Sequence, residues 1–418
     1  MSTDQFAATG GRPGGPVTDW AGSGVMTLTG RSSGPPLVPP GRAGTVAREI
    51  SARLAAATGQ GPVPVRVDGA RLLSERAAYT GHGRRGTVSA GGRCRILPTA
   101  DGWAAVSCAR PDDPALLGAL VGAELPEDPW PALAAWLAEH TGEELTERVT
   151  PLGIAAGPVR MPAAGARPPR PGPARSVAGL LVVDFSALWA GPLCAHLLGL
   201  AGARVVKVET PYRPDGARRG DPEFYRLLHS GHRSVVFDPG TPGGRRALAG
   251  LVEAADIVIE ASRPRALARF GLDAEAAARS GKVWISITAH GRASDRVGFG
   301  DDLAAANGLV AGDGDGTPLF CGDALADPLT GLVAAELAMT APTGVLFDVS
   351  MSTVVASTLD GDGLPSPRAR REGRGWVVDT AGGPVPVALP RRRPVTGRAP
   401  ASGEHTGEVL RELGIPAP

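Results

Sequence analysis

Few side chains in this sequence stand in a pattern that chemistry can use, and most of those are aspartates. Asp327 lies in the stretch ADPLTG at 326–331. An Asp followed by Pro at the first helical position is a common helix start, so capping of the helix LTGLVAAELA is one reading of its carboxylate. Attack on a carbonyl is another use of the same group, and the residues alone leave both open. Asp323 is the nearest competitor, while Asp301 and Asp302 read as loop or capping residues. The glycine-rich backbone GDGDG at 312–316 and Gly322 could offer N–H groups to an oxyanion developing beside Asp327. The pair His229 and His232 in HSGH suggests a metal, but a third ligand is not legible and turn residues are the better reading. Cys94, Cys108, Cys194 and Cys321 form no CxxC pair and suit reduced thiols in structural positions.

The elements that must position these groups are clearest from 177 to 290. GLLVVDF, ARVVKVE, SVVFD, DIVIEAS and VWISITA are short Val- and Ile-rich runs separated by helix-like segments, as a parallel α/β sheet requires. Five strands and three helices in this span make a Rossmann-like half whose ligand crevice lies at the carboxyl ends of the strands. The first strand is followed by SALWAGP in place of GxGxxG, so a nicotinamide-dependent dehydrogenase fits poorly. From 91 to 160 the character changes: RCRILPTADGWAAVSCA reads as two strands around a turn at Asp101-Gly102, with helices following, a small α+β domain. A weak internal repeat relates DWAGSGVMTLTG, GPPL and AREISARLAAATG to DDLAAANGLVAGDG, GTPL and TGLVAAELAMTA.

The expected organisation is a flexible N-terminus at 1–18, a helical segment at 19–90, the small domain at 91–160 and a Pro-rich linker at 161–176. The Rossmann-like domain with Asp327 follows at 177–350, then a linker at 351–375 and a returning C-terminal segment at 376–418. The 418 residues suit roughly two to three domains. Lys and Arg (43) balance Asp and Glu (42), so no overall field draws the chain to nucleic acid or to an anionic membrane. No apolar run reaches the roughly 18 residues of a membrane span, and a cytoplasmic protein is expected.

The segment LLVVDFSALWAGPLCAHLLGLAGARVVKVETP resembles the opening of family III coenzyme A transferases. RSVVFD, TPGGRRAL, DIVIEASRPRALARFGL and SITAHG follow in the family's order, and SGEHTGEVLRELGI at 402–415 is similar to its closing motif. The resemblance implies an α/β fold, with a Rossmann-like parallel-sheet large domain and a small α+β domain. The order is unusual, because the small domain precedes the Rossmann half. The chain resembles two fused copies that together supply one set of parts, with the position matching Asp327 in the first copy falling at about Gly44.

By that resemblance Asp327 is the nucleophile that carries an acyl group as an anhydride and coenzyme A as an aspartyl thioester. Coenzyme A is substrate and product, and no metal or redox cofactor is implied. The implied contacts to it are the loop Ala187, Leu188, Trp189 and Ala190, then Thr210, Phe237, Asp238, Ala261, Ser262, Arg263 and Arg269. Trp189 would stack on adenine or line the pantetheine tunnel, or else sit in the core. Arg263 and Arg269 suit phosphates, or else lie on a solvated helix face. The chain departs from the family where Thr210 and Gly240 stand at positions that are commonly basic, and where Ala261-Ser262 replaces Asn-Phe. The glycine pair in SAGGR at 89–93 lies where a remnant of the family's substrate loop belongs, and reads as an ordinary turn. The implied partners are an acyl coenzyme A, a small carboxylic acid and a second copy of the chain in an interlocked homodimer. The alternatives are a coenzyme A-binding protein without turnover and a 2-methylacyl coenzyme A racemase. For the racemase GFGDDL at 298–303 lacks the expected histidine, and His290 is the nearest imidazole.

Overall fold

The computed structural model describes residues 15–59, 64–160, 167–262, 264–359 and 366–418. The chain opens with α1 (Gly15–Ser23), α2 (Ala43–Thr58), α3 (Gly69–Leu72) and α4 (Glu75–Thr80). In α2 the buried positions Ala43, Ala47, Ile50, Ser51 and Leu54 fall on one helical face, which packs against a long helix of the second half. The backbones come close where α3 begins. A Cβ on Gly69 would lie 1.9 Å from the carbonyl oxygen of Ala47, so only glycine fits there.

The small domain follows as β1 (Cys94–Pro98), β2 (Trp103–Ser107), α5 (Asp113–Val121), α6 (Trp130–Ala138), α7 (Gly142–Leu152) and β3 (Ala156–Pro158). Its three strands are antiparallel in the order β1-β2-β3, and the β1–β2 turn contains Asp101 and Gly102. Alternate residues of β1 and β2 face two small cores. One lies under α5 to α7, and the other joins Cys94, Ile96 and Ala105 to Ala305, Val310 and Phe320 of the second half.

The Val- and Ile-rich runs become β4 (Leu181–Asp184), β5 (Arg204–Glu209), β6 (Arg233–Val236), β7 (Ile257–Glu260) and β8 (Val283–Thr288). Between them lie α8 (Ala190–Leu200), α9 (Pro222–His229), α10 (Pro242–Ala254), α11 (Pro264–Ala268) and α12 (Ala274–Arg279). Next come α13 (Gly300–Ala306), β9 (Val310–Gly312), β10 (Pro318–Phe320), α14 (Ala326–Thr340), β11 (Val345–Ser350) and α15 (Met351–Ala356). The main sheet has six parallel strands in the order β11-β8-β7-β4-β5-β6, one more than the sequence suggests. The added strand is an edge strand, buried fully only at Val349, whose apolar run is interrupted by Asp348. The strand order reverses between β4 and β7, which puts the crevice at their carboxyl ends.

The stretch 351–375, expected as a linker, holds α15 with Met351, Val354 and Val355 buried, and β12 (Arg370–Glu372). β12 pairs with β13 (Gly375–Thr380), which pairs with β14 (Gly383–Pro386), and this ribbon lies against α1. The chain ends on α16 (Thr406–Glu412), held to β6 by the His405 N–H donating to the Ser234 carbonyl at 2.9 Å. One core cluster joins Trp20, Met26, Ile50, Leu54 and Leu73 of the N-terminal segment to Val182, Leu197, Leu329 and Leu337. Among the described residues no helix is long and apolar enough to cross a membrane.

Candidate active site

Every residue of α14 except Asp327 is buried, so the helix is enclosed all round and presents one side chain, a carboxylate, to accessible space. Asp327 does not cap this helix. The N-cap is Leu325, and the Asp327 N–H donates to the Ala324 carbonyl at 2.9 Å. Its carboxylate instead lies beside the backbone of Ala190, the first residue of α8, which favours its charged form, and so sits at the positive end of that helix. Against it stands Gly300. A Cβ there would fall 2.2 Å from Asp327 Oδ2 and 2.6 Å from the Ala324 carbonyl oxygen, so the absence of a side chain makes room for the carboxylate. Burial raises the Asp327 carboxyl to about 7; Arg76 opposes the shift, while Asp301 and Asp323 add to it.

Three more groups converge here. Asp323 is fully buried, and Arg76 grips it with a fork in which Nε donates to Oδ2 at 2.9 Å and a second nitrogen to Oδ1. Burial works against ionisation of Asp323, but Arg76 and His82, whose Nδ1 lies 3.4 Å away, hold it well below the usual carboxylate range. Asp301 accepts the Ala324 N–H at 2.8 Å and lies beside Ser89, and burial with Asp323 raises it to about 6. Ala324 adopts φ 50°, a left-handed conformation rare for a residue with a Cβ and held by these contacts. The guanidinium of Arg76 lies 4.9 Å from the centroid of the Trp189 ring, whose edge contact with Phe224 has centroids 5.4 Å apart. The turn at 89–93 faces this cluster, since a Cβ on Gly91 would lie within 4 Å of His82, Arg76 and Asp323.

The loop between β4 and α8 divides in two. Ala187 and Leu188 are exposed at the carboxyl edge of the sheet, while Trp189 and Ala190 are buried. With Arg76 over its ring and Phe224 against it, Trp189 is 2% exposed and forms a wall, not the open platform that stacking on adenine needs. Leu188 has φ 69° and donates its N–H to Asp215 Oδ1 at 2.9 Å. Beneath it the buried Lys207 binds Asp215 at 2.9 Å and the Ser186 carbonyl, so a buried ion pair underpins the strained loop. Burial opposes the Lys207 charge, but Asp184 and Asp215 outweigh it and raise the ammonium above its ordinary value.

The other expected contacts are scattered. Thr210 is partly buried at the end of β5. Phe237 is buried in the second core, and Asp238 accepts the Gly240 N–H at 2.8 Å, so these two serve packing and a turn in place of a ligand edge. Ala261 is exposed, Ser262 keeps a buried hydroxyl without a partner among the described residues, and Arg269 is exposed. Arg263 lies outside the described residues. The glycine run at 312–316 is turned away from Asp327: Arg31 pairs with Asp313 and Asp315, and Gly314 faces Arg368. Gly322 donates to Thr29, so Gly300 replaces both as the glycine at the carboxylate. His229 and His232 are buried with their rings 5.6 Å apart, and no metal-ligating group of three side chains occurs among the described residues. His290 bonds Ser352 at 2.9 Å.

The sequence pattern of CoA-transferase family III matches residues 177–381, which carry both the loop at 187–190 and Asp327. Over that region the chain is similar to CoA-transferase family III. It is similar to the succinate–glutarate CoA-transferase of Agrobacterium fabrum, 31% identical over 180 residues that cover 38% of this chain and 45% of that protein. It is also similar to the succinyl-CoA–D-citramalate CoA-transferase of Chloroflexus aurantiacus, 32% identical over 189 residues, or 42% and 46%. The chain thus spans somewhat under half the length of these two relatives. A CaiB/BaiF family protein from Brucella suis aligns with a TM-score of 0.48 and 19% identity, over 58% of this chain and 100% of that one. Gly300 and Asp301 inside this region, and Arg76 ahead of it, were not marked as site groups by the sequence, where Asp301 read as a loop or capping residue, because their roles arise from contacts made on folding.

Proposed function

We propose that the chain moves coenzyme A between an acyl coenzyme A donor and a carboxylic acid, with Asp327 as nucleophile. The observation that carries this reading is the lone accessible carboxylate of a buried helix, set beside the N-terminus of α8 at the point where the strand order reverses. A carboxyl raised to about 7 is ionised in substantial part at neutral pH, yet is a stronger base than an ordinary aspartate. Asp327 attacks the donor carbonyl, the C–S bond breaks, and a mixed anhydride forms as the thiolate leaves. The thiolate then attacks the aspartyl carbonyl, releasing the donor acid and leaving an aspartyl thioester. The acceptor carboxylate displaces the thiolate to form a second anhydride. Attack of the thiolate on the acceptor carbonyl completes the product and frees Asp327.

The coenzyme would lie along the carboxyl edge of β4 and β7, past the exposed Ala187 and Leu188 and toward Thr210, Ala261, Ser262 and Arg269. Relatives named for succinate and succinyl-CoA make succinyl-CoA the first donor to test. Incubation with succinyl-CoA, followed by mass spectrometry of the intact protein, is expected to show a coenzyme A adduct that maps to Asp327 and is absent in Asp327→Asn. Protein that binds the coenzyme but stays unmodified with a range of donors would instead indicate a binding protein without turnover.

A further inference from the structure

Asp327 is touched by two backbone segments, Trp189-Ala190 at the start of α8 and Asp323-Ala324 before α14. One side chain ties these segments together. Arg76 forks onto Asp323, and its guanidinium lies over the Trp189 ring. It stands on α4, 247 residues before Asp323, in the N-terminal segment that precedes the family region. His82 and the turn carrying Ser89 and Gly91 come from the same segment and close on the same carboxylates. Without a cation, Asp323, Asp301 and Asp327 would place three carboxyls together in a buried space, an arrangement that cannot hold its charges.

We infer that Arg76 is a positioning residue for Asp327, delivered by the N-terminal segment of the same chain, so that one chain carries both walls of the site. The inference rests on the reading of Asp327 as the nucleophile. The fork fixes Asp323 and with it the Ala324 turn from which α14 starts, and the stacked contact fixes the loop that opens α8 beside the Asp327 carboxylate. The charged groups acting on Asp327 are Asp301 on α13, Asp323 in the turn and Arg76 from the N-terminal segment, while Asp302 stands beside Asp301 and His82 beside Asp323. From α8 the contact is the uncharged backbone of Ala190.

The test uses the full chain as wild type, Arg76→Gln, Arg76→Lys and the double variant Arg76→Gln/Asp323→Asn, which removes the carboxylate that the single change strands. Two quantities are followed against pH: the rate of the Asp327 adduct from succinyl-CoA, and the carboxyl titration of Asp327 by NMR of aspartate-labelled protein, assigned with Asp327→Asn. Arg76 acts on Asp327 more strongly than Asp323 does, so both glutamine variants should move the midpoint upward. A shift of roughly one pH unit means about tenfold slower labelling near pH 6, with the rates converging toward pH 9. Arg76→Lys should fall between. A uniform loss at every pH with an unchanged midpoint would reduce Arg76 to a folding role and overturn the inference. If the wild type forms no adduct, the transferase reading fails, while the NMR titration still decides the part played by Arg76. Co-expression of Arg76→Gln with Asp327→Asn, read near pH 6, should give labelling no faster than that of Arg76→Gln alone. Recovery to about a quarter of wild type, the share expected from random pairing in dimers, would place Arg76 across a subunit boundary and contradict delivery in cis.

Discussion

Asp327 and Asp302 are both carboxyls raised by burial to about 7, but the two should answer pH in different ways. Asp327 is partly accessible, and its titration should govern reactivity. Asp302 is 2% exposed and accepts the Ser107 hydroxyl of the small domain at 2.6 Å and the Phe299 N–H at 3.0 Å, so its titration should govern stability. The folded chain holds the Asp302 proton more tightly than the unfolded chain does. Stability is therefore complete below the unfolded carboxyl's range and is lost as pH rises toward 7. Both hydrogen bonds fall on Oδ1, which an asparagine oxygen can replace. Asp302→Asn should accordingly be more stable than wild type at pH 8, by on the order of 1–3 kcal/mol, and indistinguishable from it near pH 3.5, as thermal melts at the two pH values would record.

At the scale of elements, the crossing of α14 on α8 sets the distance between the carboxylate and the N-terminus of α8. The helices meet at Gly331, where a Cβ would lie 2.7 Å from the Ala190 carbonyl oxygen and 3.0 Å from the Leu193 side chain. Gly331 is one turn beyond Asp327, so a methyl group there pushes the two partners apart. Gly331→Ala should cost about 1–3 kcal/mol in denaturant unfolding and slow Asp327 labelling disproportionately, an overpacking effect that a surface Gly→Ala change elsewhere would not produce. The entry to α8 is equally tight, since a Cβ on Gly191 would fall 2.1 Å from the Ser186 side chain. The repeated segment has the same plan: α1 packs on α2 as α13 packs on α14, and α2 packs on α14. Gly44, in the first turn of α2 and at the position that matches Asp327 in the repeat, lies against Asp19 and Trp20.

On the scale of the whole molecule, the N-terminal segment is part of the large domain's core. Trp20, Met26, Ile50, Leu54, Leu72 and Leu73 are buried in a cluster shared with α8 and α14. Each such side chain contributes roughly 1.5–3 kcal/mol by burial, and together they match the roughly 5–15 kcal/mol that a folded domain has in total. A fragment of residues 167–418 should therefore fail to unfold cooperatively and should bind a hydrophobic dye. Adding residues 15–160 in trans should restore a single melting transition, which circular dichroism with size-exclusion chromatography would detect.

The sequence by itself determined what neighbouring residues impose on one another. Val- and Ile-rich runs specify five strands, four inner and the edge strand β6, the Asp101-Gly102 pair sits in a hairpin turn, and the motif blocks single out Asp327 and the loop at 187–190. The sixth strand lies beyond the span 177–290 in which strands and helices alternate, separated from β8 by α13 and α14, and its apolar run is broken by Asp348. Only the tertiary structure decided which groups meet at Asp327. Arg76 and Asp323 stand 247 residues apart, Gly300 matters because of a carboxylate that folding brings to it, and Trp189 is enclosed by Arg76 and Phe224. The physical reason is that hydrophobic periodicity and turn chemistry act over a few residues, whereas buried ion pairs and close backbone approaches exist only once distant segments have been packed together.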